Sequence, residues 1–222
     1  MADAAVVLYN EAGNLIVDSR NVNMFLRYSG IAGGADRFAN IVVNCIDPVL
    51  FFRPISEYGG VEAMFRSGNE VTYRFRGQCE YYIFDRPWKT GGPIDIWAQD
   101  GTHIFMSTAR PMNVLQTIDL PNYFDAYRQA YRDGWTYAGL PTSKYAYNVS
   151  FTRQGYDCMP MAGGGWSAWL CNERIYSTAN GLRVSFPEYG MRFLSWAPLF
   201  SNVFMSYAGA CPVSFIDVTG WL

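Results

Sequence analysis

The residue types that most often carry enzymatic chemistry are few in this sequence. His103 is its one histidine, which excludes any site that needs two imidazoles, including the helical two-His zinc motif. A catalytic imidazole also needs an orienting carboxylate and a nucleophile, yet no Gly-x-Ser-x-Gly motif and no cysteine lies close to His103. We therefore predict no catalytic residue and a protein that is not an enzyme.

Carboxylates leave one enzymatic alternative open. Glycoside hydrolysis needs two carboxyl groups, about 5 Å or about 6.5–9.5 Å apart. The 19 acidic residues do not exclude such a pair, and their spacing identifies none. A polysaccharide hydrolase therefore remains an alternative hypothesis for the function.

The cysteines do not follow the spacing of a metal or disulfide framework. They are odd in number, and no two form a C-x-x-C motif; the five are Cys45, Cys79, Cys158, Cys171 and Cys211. We predict that they are buried thiols that pack as small hydrophobic groups. The Gly-rich run at 162–166 lacks the Lys-Ser/Thr ending of a phosphate-binding loop, so we predict a flexible loop there and no cofactor.

The composition is rich in aromatic residues and arginine. There are 7 Trp, 16 Tyr and 15 Phe, whereas Lys89 and Lys144 are the only lysines among 17 basic residues. This balance is typical of protein interfaces, although the codon usage of a GC-rich genome is an alternative cause. A net charge of -2 argues against a nucleic-acid binder held mainly by phosphate contacts.

The apolar stretches indicate neither export nor a membrane span. The most apolar one, 38–52, is interrupted by polar residues and a proline well before the ~20 residues that a membrane helix needs. The first five residues contain no basic segment that leads into an apolar run. We expect the chain to fold where it is made.

A hairpin-like motif recurs along the chain. Residues 7–19 align without gaps to residues 95–107, at an offset of 88 residues that Met24 and Met112 also keep, and a looser copy spans 184–195. Each copy has an aromatic residue four positions before a glycine, which suits a strand, a type I turn and a left-handed glycine corner. We predict that Gly13, Gly101 and Gly190 are these corners, with chance recurrence as the alternative. The segments between the copies do not align, so a repeated hairpin is predicted rather than a solenoid.

Most of the remaining sequence alternates as strands do. Residues 71–76 place Val71, Tyr73 and Phe75 on one face and the two arginines on the other. Many short segments of this kind predict an all-β fold, an antiparallel β-sandwich or a pair of them, with repeated hairpins and at most one short helix at 121–133. A linker-like run at 86–93 divides the chain into β-rich halves, 1–88 and 89–222, with one continuous domain as the alternative.

Five aromatic residues are candidates for binding contacts. Trp88 and Trp135 lie in turn-rich stretches, where binding residues are frequent. Trp97 and Trp196 belong to the hairpins and are expected in the core or in contacts between sheets. Tyr123, Tyr127 and Tyr131 form one stripe of the predicted helix, which either packs on a sheet or is exposed for contact. Exposed Trp and Tyr also suit sugar rings, so a carbohydrate-binding module is a second alternative.

The motif at residues 7–19 resembles a hairpin found in small β-rich proteins encoded with the tail-tip and tail-fibre genes of long-tailed bacteriophages. Those proteins open with a hydrophobic-Tyr-Asn-x-x-Gly-x-Leu-x-x-Asp-Ser run, as residues 8–19 do, and carry a second copy, to which residues 95–101 are similar. The long aromatic segment 121–169 departs from them.

The resemblance implies a non-enzymatic structural protein of the virion, at the distal tail, that is made in the bacterial cytoplasm. Other tail proteins would be its partners, with a host surface receptor or polysaccharide as a further contact. It also implies a homo-oligomer, with a trimer favoured. No catalytic residue is carried over.

Overall fold

The structure is a computed structural model that describes residues 7–9, 15–18, 22–34, 38–56, 59–121, 135–141, 143–149, 152–186, 188–194, 202–204 and 211–222. These residues form twenty strands. The first ten are β1 (Val7–Tyr9), β2 (Leu15–Asp18), β3 (Phe25–Ala32), β4 (Phe38–Asn44), β5 (Val49–Pro54), β6 (Gly60–Ser67), β7 (Glu70–Arg76), β8 (Cys79–Asp85), β9 (Asp95–Trp97) and β10 (His103–Met106). The others are β11 (Gln116–Leu120), β12 (Trp135–Tyr137), β13 (Tyr145–Val149), β14 (Gln154–Pro160), β15 (Trp166–Asn172), β16 (Arg174–Thr178), β17 (Gly181–Ser185), β18 (Glu188–Leu194), β19 (Asn202–Phe204) and β20 (Cys211–Asp217).

A six-stranded antiparallel sheet forms the centre of the molecule, in the order β11-β20-β13-β5-β8-β3. The smaller sheets are β4-β7-β6, β12-β17-β16, β18-β15-β14-β19 and the hairpins β1-β2 and β9-β10. The predicted all-β, antiparallel, sandwich-like class is confirmed. No helix that could cross a membrane occurs among the described residues. The predicted helix at 121–133 lies almost wholly outside them.

The two halves of the chain have the same strand pairing. Ala32 pairs with Cys79 in the first half as Leu120 pairs with Cys211 in the second, and the match continues along both ladders. Leu50 pairs with Ile83 as Tyr147 pairs with Phe215, so β3, β5 and β8 correspond to β11, β13 and β20. The sheets β4-β7-β6 and β12-β17-β16 correspond in the same way.

The halves meet about a local pseudo-twofold axis. β5 and β13 are antiparallel neighbours at the centre of the large sheet, where Tyr147 pairs with Phe52. Away from this pair, Met112 N–H donates to Met24 C=O at 2.7 Å, which joins two positions that are equivalent in the repeat. The large sheet therefore takes three strands from each side of residue 88. The repeated unit is larger than the predicted hairpin.

The central strands are apolar on both faces because both faces are covered. Phe52 and Ile83 face the β4-β7-β6 sheet in one buried cluster, and Tyr147 and Phe215 face the β12-β17-β16 sheet in another. Phe51, Tyr82 and Phe84 point the other way. Trp221 packs on that second face, with its ring centroid 5.6 Å from that of Tyr82 and 6.2 Å from that of Phe84.

Two of the three predicted hairpins form. Val7, Leu8 and Tyr9 pair with Asp18, Val17 and Leu15, and Asp95, Ile96 and Trp97 pair with Met106, Phe105 and His103. The two hairpins have the same register at the 88-residue offset. In each of them the second strand contains one residue that has no partner in the register. Gly101 has φ +83° and donates its N–H to Ala98 C=O at 3.0 Å, as a left-handed corner requires. Gly13 lies outside the described residues.

The third predicted hairpin is wrong. Val184 belongs to β17, whereas Gly190 lies inside β18, which pairs with β15. The ladder is irregular at Gly190, since Met191 and Tyr189 pair with the successive residues Trp169 and Leu170. Gly190 therefore occupies a bulge in a strand rather than a corner, and glycine suits both places.

Candidate interaction surface

The outward face of the β4-β7-β6 sheet exposes apolar residues beside arginines. Strict alternation in β7 buries Val71, Tyr73 and Phe75 and turns Thr72, Arg74 and Arg76 outward, as predicted. Cross-strand neighbours then complete the outward face, because residues that pair in a ladder share a side of the sheet. We call this the aromatic–arginine face; its residues are Phe38, Asn40, Val42, Phe65, Thr72, Arg74 and Arg76.

Large side chains on this face are poorly covered. Phe38 is 62% exposed, Val42 58% and Phe65 52%. The guanidinium of Arg74 lies 5.4 Å from the Phe65 ring centroid, and that of Arg76 lies 5.6 Å from the Phe38 centroid. Arg74 Nε also donates to Asn40 Oδ1 at 3.4 Å. The rings thus restrain both guanidinium groups; Arg74 is exposed, whereas Arg76 is half-buried.

The equivalent sheet of the second half repeats part of this arrangement. Tyr176 pairs with Arg183 as Phe65 pairs with Thr72, so Tyr176 and Phe65 are equivalent aromatic positions. The guanidinium of Arg183 lies 4.9 Å from the Tyr176 ring centroid. A groove of about 330 Å³ runs beside them, and Ile55 and Ser56 form part of its other wall. An aromatic ring beneath an arginine is therefore present on the outward side of each half.

The predicted contact residues lie elsewhere. Trp88 is partly buried against the cluster of Phe25, Phe105 and Met106, with the guanidinium of Arg27 5.3 Å from its ring. Trp135 is partly buried against the core between the large sheet and β12-β17-β16. The structure does not bring these two tryptophans into one surface. Tyr123, Tyr127 and Tyr131 lie outside the described residues.

Trp97, expected in the core, is instead 50% exposed. Its ring stacks on His103, with centroids 4.8 Å apart and ring planes at 16°. His103 Nε2 lies 3.3 Å from Asp95 Oδ1, and Asp95 Oδ2 accepts the N–H groups of Gly91 and Gly92. The hairpin register brings this carboxylate to His103, which sequence spacing alone did not reveal. The contacts fix the imidazole against the hairpin.

Buried carboxylates in the described residues each face a cation. Glu80 lies 2.7 Å from Lys144 Nζ and 3.5 Å from Arg53. Glu173 pairs with Arg153 and Asp85 with Arg27, and the half-buried Glu62 pairs with Arg174. In this part of the chain, no three His, Cys, Asp or Glu side chains come together as a metal site would require.

A cavity of about 500 Å³ opens between the large sheet and the β6–β7 hairpin. Its wall is mainly apolar and includes Leu50, Phe52, Val61 and Val149, with Asn148 and Glu62 as polar members. Asn148 Nδ2 is already engaged, because it donates to Leu50 C=O at 2.8 Å. Both halves of the chain contribute to this wall.

The chain matches no protein-family model, no curated protein and no solved structure.

Proposed function

We propose that the protein is a non-enzymatic structural component of a bacteriophage tail tip or tail fibre, which binds neighbouring tail proteins through its aromatic–arginine face. The observation that carries the proposal is the exposure of Phe38, Val42 and Phe65 beside Arg74 and Arg76 on one face. Aromatic residues and arginine are enriched at the centres of protein interfaces and supply most of their binding energy.

The geometry of the arginines supports binding rather than simple solubility. Phe65 and Phe38 restrict the guanidinium groups before any partner arrives, so less side-chain entropy is lost on association. Glu70 lies at the turn end of the face, and the arginines lie toward its other end. A partner that places a carboxylate and an apolar side chain opposite the arginine end would complement it.

The assignment to a phage tail rests on the hairpin resemblance. The matched residues form real hairpins, with identical registers at residues 7–18 and 95–106, so the motif reflects a backbone unit. In this proposal the chain is made in the bacterial cytoplasm and assembles as a trimer into the distal tail, where it also contacts the host receptor.

The proposal is tested on phage particles that carry the gene. Mass spectrometry of purified particles should detect the chain, and the Phe65→Ser/Arg74→Ser variant should be incorporated at least tenfold less. Ile31→Ser is the matched control, because Ile31 is 56% exposed on β3, outside the aromatic–arginine face. Absence of the chain from particles, or equal incorporation of all variants, would refute the proposal. Because the proposal includes a trimer, light scattering of the purified chain should give a molar mass of three times 25.1 kDa.

Carbohydrate binding is a second candidate, favoured by Trp97. Its half-exposed indole is held by His103 and presents a flat surface that a sugar ring could stack on. Titration with host surface polysaccharide should give binding that Trp97→Ala removes. A flat titration curve for the unaltered protein would eliminate this candidate.

A further inference from the structure

The second half of the chain contains a sheet that has no counterpart among the described residues of the first half. Two connections between strands are longer in the second half than in the first. Segment 150–173, between β13 and β16, takes the place of 55–59 in the first half. Segment 186–210, between β17 and β20, takes the place of 77–78. Both segments contribute to the four-stranded sheet β18-β15-β14-β19. This sheet is an addition to a pseudo-symmetric body that forms its other sheets without it.

The β14–β15 hairpin of this sheet ends in an uncharged, apolar tip. The sequence from Cys158 to Cys171 contains no Asp, Glu, Lys, Arg or His. Met159 and Met161 are 39% and 40% exposed, and Pro160 and Ala162 are exposed beside them. Phe193, 62% exposed, lies on the same row of the sheet, since Met159 and Phe193 both pair with Ser167. We call Met159–Trp166 with Phe193 the hairpin tip.

Hydrogen bonds close the turn of the hairpin tip and join the tip to the strand that follows it. Met161 N–H donates to Gly165 C=O at 3.1 Å, and Gly164 N–H donates to Met161 C=O at 3.0 Å. Ser167 Oγ donates to Met159 C=O at 3.4 Å. The groups in these bonds need no water as partner, which lowers the cost of bringing them near a lipid phase.

We propose that the hairpin tip inserts into the interfacial region of a lipid bilayer and attaches the protein to a membrane surface without spanning it. Exposed apolar residues on a convex tip fit the headgroup and acyl boundary, which peripheral segments enter to about 5–10 Å. Trp166 lies opposite Pro160 where the ladder begins, at the level where tryptophan favours a membrane interface.

Charge placement favours lipid over a protein partner. The nearest charged positions in the described ladder are Arg192, opposite Ala168, and Asp157, opposite Trp169. Arg192 is level with Cys158, two residues below the last pair of the ladder, or roughly 7 Å at about 3.3 Å per residue, and the turn 161–165 extends beyond that pair. Its backbone therefore lies at the base of the hairpin tip. A protein interface would be expected to present arginine and a polar rim, as the aromatic–arginine face does and the hairpin tip does not.

The test measures flotation of the full-length protein with vesicles of neutral phosphatidylcholine. The unaltered protein should float with the vesicles, and Met159→Asp/Met161→Asp should lower the partition coefficient at least tenfold. Met64→Asp is the matched control, because Met64 is 57% exposed on β6, away from the tip; its partition should change less than twofold. Lipids brominated near the headgroup should quench tryptophan fluorescence, and Trp166→Phe should reduce that quenching.

Other outcomes overturn the proposal. One is failure of the unaltered protein to bind vesicles. A second is an equal loss of vesicle binding in Met64→Asp and in the tip variant. A third is binding to anionic vesicles alone, if salt abolishes that binding in every variant. Self-association that the tip variant removes, without vesicle binding, would assign the tip to a protein contact instead. Ala162→Asp, at the exposed apex, replaces the double variant if the latter fails to fold by circular dichroism.

Discussion

Asp85 is a buried carboxylate around which the 45–48 loop is built. It accepts hydrogen bonds from the backbone N–H groups of Ile46, Asp47 and Arg86, at 2.8–3.1 Å, and pairs with Arg27 Nη1 at 2.5 Å. Loss of the carboxylate would leave these partly buried donors without an acceptor and Arg27 without its counter-charge, and such losses cost several kcal/mol.

We predict that Asp85→Ala lowers the free energy of unfolding in urea by about 3 kcal/mol. The equivalent residue of the second half supplies the control. Asp217 is exposed, and its carboxylate accepts the Thr219 N–H at 2.8 Å together with hydrogen bonds from the side chains of Thr219 and Ser143. Asp217→Ala should therefore cost less than about 1 kcal/mol. Equal losses at the two positions would contradict the role given to Asp85.

All five cysteines are buried, as predicted. Burial raises the pKa of Cys45 to about 11 and that of Cys79 to about 12. Because the thiolate is the reactive form, these thiols should resist a thiol reagent such as DTNB at pH 8 in the native protein. All five should react once urea unfolds the chain. Fast labelling of Cys45 or Cys79 in the native state, located by peptide mapping, would show that the packing is wrong.

The raised pKa values of buried groups also predict that the protein loses stability in alkali. Burial also raises the pKa of Tyr73 and of Tyr147 to about 12, against an ordinary value of 10. Above about pH 9 the unfolded chain therefore releases protons that the folded chain retains, so rising pH favours unfolding. The urea midpoint should be lower at pH 10.5 than at pH 8. A midpoint that stays constant or rises would contradict this prediction.

The hairpin corner at Gly101 depends on glycine for its backbone conformation alone. Its φ is +83°, and a Cβ built there would have no heavy atom within 4 Å. We predict that Gly101→Val lowers the free energy of unfolding by about 1–2 kcal/mol, the cost of a left-handed conformation. Gly34 also has open space around its Cβ position, but no positive φ. Gly34→Val should therefore cost clearly less, and equal costs would remove the argument from conformation.

The two halves of the chain hold one another together. β5 pairs with β13 at the centre of the large sheet, Glu80 pairs with Lys144, and Glu62 pairs with Arg174. Separation would expose a central sheet edge and leave charged groups without partners, which a small half-domain would not tolerate. The β-rich halves on either side of residue 88 are therefore expected to be stable only as a pair.

This interdependence is testable with a protease site inserted between Lys89 and Gly92, in an exposed connection. After cleavage, the two fragments on either side of this site should co-elute on gel filtration as one particle, and each should aggregate when expressed alone. Two fragments that elute separately as folded monomers would show that the halves are independent domains. The same protein with an uncleaved linker is the control.

Local patterns were enough to find strands and the first hairpin motif. Alternation in residues 71–76 correctly separated Tyr73 and Phe75 from Arg74 and Arg76, because a strand turns successive side chains to opposite faces. The turn chemistry at Gly101 was also readable, since three residues between an aromatic and a glycine limit the turn types available. Both depend on contacts between near neighbours in the chain.

The pairing of distant strands could not be read in this way. Tyr82 and Ser214 occupy equivalent positions in the backbone pairing, and so do Glu80 and Pro212. These side chains are not alike, so the duplicated structure includes positions at which the two halves show no sequence similarity. For the same reason Gly190 fitted a corner motif although its strand pairs with β15, and Trp97 fitted a core pattern although its side of the hairpin is uncovered. Residue types determined which segments become strands and which face of each is apolar. Which strands meet, and which apolar faces stay open, followed from long-range backbone pairing and the burial of sheets against one another, which no short stretch of sequence specifies.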